Sequence, residues 1–121
     1  GAEPDGVLKA KLHVGDTLTL DGSASGRVLA AFLPEPRVAL LARRGGQLPG
    51  AAVLREVRAA GHALSAGRDM PEVMAVAMPV FDAQGACYGA LSLVGPVSRF
   101  SAEALRPALA KAADVLSHRR G

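Results

Sequence analysis

Two nearly continuous apolar stretches, residues 73–81 and 86–94, dominate the pattern of hydrophobic and polar positions along the chain. The connection between them is Asp82-Ala83-Gln84-Gly85. A short connection that contains glycine between two such runs is typical of a β-hairpin. Because both faces of each run are apolar, we expect this hairpin at the centre of a sheet, covered on both sides.

Two flanking segments alternate between apolar and polar residues and predict further strands. Residues 7–12 alternate apolar and basic positions, which indicates a half-exposed strand with His13 at its end. Residues 62–66 alternate in the same way. These strands would extend the sheet beyond the hairpin.

Helical spacing of apolar residues predicts several helices around this sheet. The first begins after an N-cap at Asp21 or Ser23 and ends before Pro34. Two more helices are expected, one from Pro36 and one from Pro49 to Gly61, and a last one within residues 101–118, where Pro107 predicts a kink or a start. The pattern predicts an α+β domain, an antiparallel sheet with flanking helices.

Composition narrows the possible functions. The chain has 121 residues, enough for one domain, and 50% of them are apolar but only 3% aromatic, so Ala, Val and Leu must form the core. The formal net charge of +3 is dispersed along the sequence, which argues against a nucleic-acid surface. The longest apolar runs, about ten residues, are too short to cross a bilayer, so no membrane partner is expected.

The sequence offers no pattern for catalysis, for a metal or for a cofactor. None of the serines lies in a G-x-S-x-G motif, and His13, His62 and His118 fall in different elements. No His, Asp, Glu or Cys spacing is typical of a metal site. Cys87 lies in a predicted buried strand, where an inert thiol is expected, and a single cysteine is compatible with a reducing cytoplasm.

Two features could form a binding site. Ser23, Ala24 and Ser25 are small residues at a helix start, where uncovered backbone N–H groups favour an anion; simple capping is the alternative. Ser92 is the one strongly polar side chain in the second hairpin strand, and a buried hydroxyl needs a partner. A hydrogen bond to a neighbouring strand is the alternative role for Ser92.

Three stretches, taken together in their order and spacing, resemble the effector-binding domain of the IclR family of bacterial transcription regulators. They are GSASGRVLAAFL at 22–33, VRAAGHA at 57–63, and AMPVFD at 77–82 continuing to GALSLVGP at 89–96 with Arg99 following. The third stretch is similar to the family's A-x-P-V-F-D hairpin that ends in A-L-S-x-S-G-P. The resemblance covers residues from about 7 to 117.

This resemblance implies a GAF/profilin-like sensor domain, cytoplasmic and assembled as a homodimer or homotetramer. DNA would be bound only by a helix-turn-helix domain that precedes the sensor domain and lies outside this chain. The implied pocket comprises the following residues: Ser23, Ala24, Ser25, the segment from Asp69 to Ala75, Ala77, Ser92 and Val94.

Two departures from the family pattern bear on the ligand. Val94 stands where the family has a second hairpin serine, and Ala75 stands where a polar or thiol group is frequent. The resemblance therefore implies a larger or more apolar organic acid as the effector. Two alternatives stay open: an oligomerisation domain with a degenerate pocket, and an enzyme on a GAF-like fold, against which the single cysteine argues.

Overall fold

Four strands and three helices form the described part of the chain. The computed structural model describes residues 9–14, 20, 23–44, 46–66, 72–97, 110, 112, 113 and 116. The elements in chain order are β1 Lys9–Val14, α1 Ala24–Phe32, α2 Glu35–Arg43, α3 Ala51–Ala60, β2 Ala63–Ala66, β3 Val73–Phe81 and β4 Cys87–Pro96. The predicted α+β class is confirmed.

The strands make one antiparallel sheet in the order β1-β4-β3-β2, so the β3–β4 hairpin is central, as predicted. Asp82 builds the turn of this hairpin. Its Oδ1 accepts hydrogen bonds from the backbone N–H groups of Gln84, at 2.9 Å, and Ala86, at 3.0 Å. Gly85 has φ +84°, a left-handed conformation that side chains other than glycine's rarely adopt.

One face of the sheet carries α1 and is called the helix-bearing face below. Val28 and Leu29 of α1 are fully buried in one apolar cluster with Ala77 of β3 and Ala90 of β4. Alanine on the strands leaves room for the helix backbone to approach closely. This explains how a chain with so few aromatic residues still fills its core.

The opposite face of the sheet is also covered, which confirms the expectation of cover on both sides. Val76, Val80 and Leu91 form a second cluster with Ala113, and Leu116 packs against it. The described positions between 110 and 116 are helical, in agreement with a helix in this region. The predicted kink at Pro107 lies outside the described residues.

The helix boundaries agree with the predicted caps at Ser23 and Gly61, whereas α3 begins at Ala51 and not at the predicted Pro49. Ser23 is the N-cap of α1: its Oγ accepts a hydrogen bond of 3.0 Å from the backbone N–H of Gly26. Helix α2 begins at Glu35, one residue before Pro36, and Gly61 ends α3 with φ +80°. In the parts of the chain that the structure describes, no helix has the length and apolar character needed to cross a bilayer.

Candidate functional site

Ser92 is the polar residue at the centre of the helix-bearing face. It is 3% exposed and pairs in register with Lys11 of β1 on one side and Ala77 of β3 on the other. Residues directly opposite each other on antiparallel strands project from the same face of the sheet. A nearly buried hydroxyl therefore lies between a cationic strand and an apolar one.

His13 supplies the partner of this hydroxyl. Its Nε2 lies 3.3 Å from Ser92 Oγ, and which of the two groups donates depends on the tautomer of the ring. His13 pairs in register with Ala90, so it projects from the helix-bearing face, and it is half-buried. His13 lies near the end of a partly exposed strand, as expected, and its contact with Ser92 is an addition to that prediction.

The sequence did contain a signal for His13. The alternation in β1 places Lys11 and His13 on one face and Leu12 on the other. Lys11 and Leu12 are both exposed, whereas His13 is half-buried and its imidazole contacts Ser92.

Three predicted apolar pocket residues lie beside Ser92 on the same face, at different depths. Ala77, opposite Ser92, is completely buried within the cluster under α1. Ala75, opposite Val94, is half-buried, and Val94 is 37% exposed. The face thus becomes more open toward Ala75 and Val94, and Ala77 belongs to its closed end.

The predicted helix start is only partly available for a ligand. The Ser23 hydroxyl caps α1 through the N–H of Gly26, which is the alternative role foreseen for it. Ala24 and Ser25 are buried, and Ala24 lies in the same apolar cluster as Ala77. Asp69, the remaining predicted pocket residue, lies outside the described residues.

The electrostatic character of the helix-bearing face is cationic. Lys11 and His13 flank Ser92, and none of the described strand residues on this face is Asp or Glu. An anion placed beside Ser92 would therefore meet favourable charge and no opposing carboxylate from these strands. Among the described residues, no group of three His, Cys, Asp or Glu side chains could hold a metal ion.

Cys87 is not a reactive group. Burial raises the pKa of its thiol, and Sγ donates a hydrogen bond of 3.2 Å to the backbone carbonyl of Gly89. A thiol with a raised pKa and 5% exposure is a poor nucleophile. The predicted inert, buried role of Cys87 agrees with this environment.

An open groove lies away from Ser92, between α3 and β2. It has a volume of about 260 Å³, and its lining includes Arg27, Glu56, Val57, His62 and Leu64. The guanidinium of Arg27 donates to the backbone carbonyl of Leu64, so this cation is engaged at the sheet edge. The groove contains none of the predicted pocket residues.

The family comparison identifies a match over more than half of the chain. Residues 51–118 match the family described as the C-terminal domain of the bacterial transcriptional regulator IclR. This range includes α3, β2 and the whole β3–β4 hairpin. No curated protein matches the chain significantly by sequence.

Several solved structures share the fold. HmgR of Pseudomonas aeruginosa is 39% identical, with a TM-score of 0.69, and the match covers 99% of this chain and 51% of HmgR. A putative IclR regulator from a Silicibacter species is 31% identical, with a TM-score of 0.62, covering 85% of this chain and 46% of that one.

A third structure is the inducer-binding domain of PobR from Acinetobacter, a double mutant in complex with 3-hydroxybenzoic acid. It is 21% identical, with a TM-score of 0.62, and the match covers 84% of this chain and 67% of that one. At this identity the likeness concerns the fold. The chain itself spans about half the length of HmgR and of the Silicibacter regulator. The chain belongs to the IclR family of bacterial transcriptional regulators and has the fold of the family's C-terminal, effector-binding domain.

Proposed function

We propose that this domain senses a small organic acid and thereby modulates DNA binding by a helix-turn-helix domain of the same regulator. The observation that carries the proposal is the nearly buried Ser92 hydroxyl beside Lys11 and His13, on a face whose described strand residues include no Asp or Glu. Burial of a hydroxyl is costly unless it is hydrogen-bonded. A hydroxyl has one donor and two acceptor positions, so Ser92 can bond both His13 and a ligand.

The neighbours of Ser92 favour an acid with an apolar body. Val94 and Ala75 occupy the more open end of the face, and neither offers a hydrogen bond through its side chain. An apolar surface with a few polar groups at one end is typical of small-molecule sites. We therefore expect the carboxylate at Ser92 and the apolar part of the ligand over Val94 and Ala75, with the α1 start at Ser25 nearby.

The role of the whole regulator follows from family membership. Relatives with this domain are transcriptional regulators, and DNA would be bound by a helix-turn-helix domain rather than by this chain. We propose a cytoplasmic homodimer or homotetramer without enzymatic activity. Effector binding would change the arrangement of the subunits, and through it the affinity for DNA.

A binding experiment tests the proposal. The chain would be screened by thermal shift against pyruvate, benzoate and 3-hydroxybenzoate, the last chosen because the PobR domain was crystallised with it. Calorimetry then compares the affinity of the wild type for the acid with that of Ser92→Ala. Loss of one hydrogen bond to a charged group should weaken binding by about 1–3 kcal/mol, while the fold survives because alanine fits the space.

The matched control is His62→Ala, which alters the α3–β2 groove and leaves the neighbourhood of Ser92 intact. We expect its affinity to equal that of the wild type. Equal affinity of Ser92→Ala and the wild type would refute the site. A folded chain that binds none of the acids would instead favour an oligomerisation domain with a degenerate pocket.

A further inference from the structure

We infer that His13 is a specificity-determining residue of this site: its imidazole and the Ser92 hydroxyl together hold one carboxylate of the effector. The inference rests on the proposed function and adds a residue that lies outside the segments in which the family resemblance placed the pocket. It also states the basis of selectivity: the site distinguishes charged ligands from neutral ones of the same shape.

Geometry is the first support. His13 Nε2 and Ser92 Oγ lie 3.3 Å apart on neighbouring strands, on the same face of the sheet. This distance is long for a hydrogen bond between a nitrogen and a hydroxyl. Each group can therefore donate a hydrogen bond to one oxygen of a carboxylate that approaches both. Two charge-assisted hydrogen bonds then replace the one long hydrogen bond between His13 and Ser92.

The depth of the two groups is the second support. Ser92 is almost completely buried, whereas the imidazole that contacts it is half-buried. A ligand that bonds to the Ser92 hydroxyl would therefore also contact the more exposed imidazole beside it.

Charge is the third support. Lys11 pairs directly with Ser92, so its exposed side chain projects from the same face and adds positive charge to it. The described strand residues on this face include no Asp or Glu to neutralise it. Such a site should bind an acid much better than the neutral amide of the same shape, because only the carboxylate is attracted by the charge of Lys11 and strengthens the hydrogen bonds that it accepts.

The experiment compares acid–amide pairs, benzoate with benzamide and 3-hydroxybenzoate with 3-hydroxybenzamide, on the folded chain. Calorimetry gives the dissociation constants for the wild type, His13→Phe and His13→Gln. The wild type should prefer the acid. His13→Phe should lose at least about tenfold in affinity for the acid and little for the amide, and His13→Gln, which keeps a donor, should fall between the two.

The matched control is His62→Phe, which removes the described imidazole outside the site, where Nδ1 lies 3.1 Å from the carbonyl of Ala60. It should keep the acid affinity and the acid–amide ratio of the wild type. A second check is the double variant His13→Phe with Ser92→Ala. If His13 and Ser92 bind the same carboxylate, the fold loss in affinity of the double variant should be clearly smaller than the product of the fold losses of the two single variants.

The outcomes separate this inference from the proposed function. If benzoate or 3-hydroxybenzoate binds and Ser92→Ala weakens it, but His13→Phe keeps the full affinity and the full preference for the acid, the role of His13 is refuted and the sensing function stands. If the folded wild type binds neither acid, the proposed function fails and this inference fails with it.

Discussion

Gly46 occupies a position, just after α2, that has no room for a side chain. A Cβ built there would lie 2.9 Å from Leu20 Cβ and 3.0 Å from the backbone carbonyl oxygen of Leu41. Neither atom is the end of a flexible side chain, so the surroundings would have to move. Gly46→Ala should therefore lower the free energy of unfolding by about 1–3 kcal/mol, measured by urea denaturation.

Gly50→Ala is the control for this prediction. Nothing lies within 4 Å of a Cβ at Gly50, which is the N-cap of α3. Alanine is a weaker N-cap than glycine, but the loss should stay below about 1 kcal/mol. If both variants unfold at the same urea concentration, the close packing of Gly46 against Leu20 and Leu41 is incorrect.

At the scale of single residues, the burial of Ser92 and Cys87 could be predicted from the sequence, whereas the contact of His13 with Ser92 could not. Ser92 and Cys87 stand in apolar runs, which predicts their burial. His13 ends an alternating segment, and alternation tells which residues share a face without telling which face is solvated. The partner strand that places the imidazole beside Ser92 lies 79 positions away, beyond the reach of local patterns.

The β3–β4 turn depends on one side chain. Asp82 Oδ1 accepts from the N–H groups of both Gln84 and Ala86, which closes the connection between the two central strands. Asp82→Ala would remove both hydrogen bonds and should lower the free energy of unfolding by about 1–2 kcal/mol in urea denaturation. Gln84→Ala is the control: the substitution retains the backbone N–H that donates to Asp82, and the Gln84 side chain is exposed. The free energy of unfolding should therefore stay nearly unchanged.

At the scale of elements, the hairpin, β2 and the three helices follow from signals that are local in sequence. Gly61, Gly85 and Pro34 mark ends and turns by their backbone conformation, and Asp82 does so through its side-chain carboxylate. Of the strand order β1-β4-β3-β2, only the central pairing of β3 with β4 could be predicted. The positions of the edge strands β1 and β2 depend on contacts between segments that are distant in sequence. How far each strand side chain is buried, such as the complete burial of Ala77, depends on the same contacts between distant segments.

At the scale of the whole molecule, the charge distribution predicts weak interaction with nucleic acid. The net charge of +3 is dispersed. In a gel-shift assay with duplex DNA, the chain should bind without sequence preference, and its affinity should fall steeply as salt rises. Sequence-selective binding that resists salt would show that this domain reads DNA itself, contrary to its assignment as a sensor domain.

The most direct test of the central claim is to locate the bound acid by an amide NMR titration of the ¹⁵N-labelled chain with 3-hydroxybenzoate. We predict that the largest shifts cluster on the helix-bearing face, at Ser92, Val94 and Ala75, and at the end of β1 around His13. Shifts that cluster instead in the α3–β2 groove, around Glu56 and His62, would contradict the account.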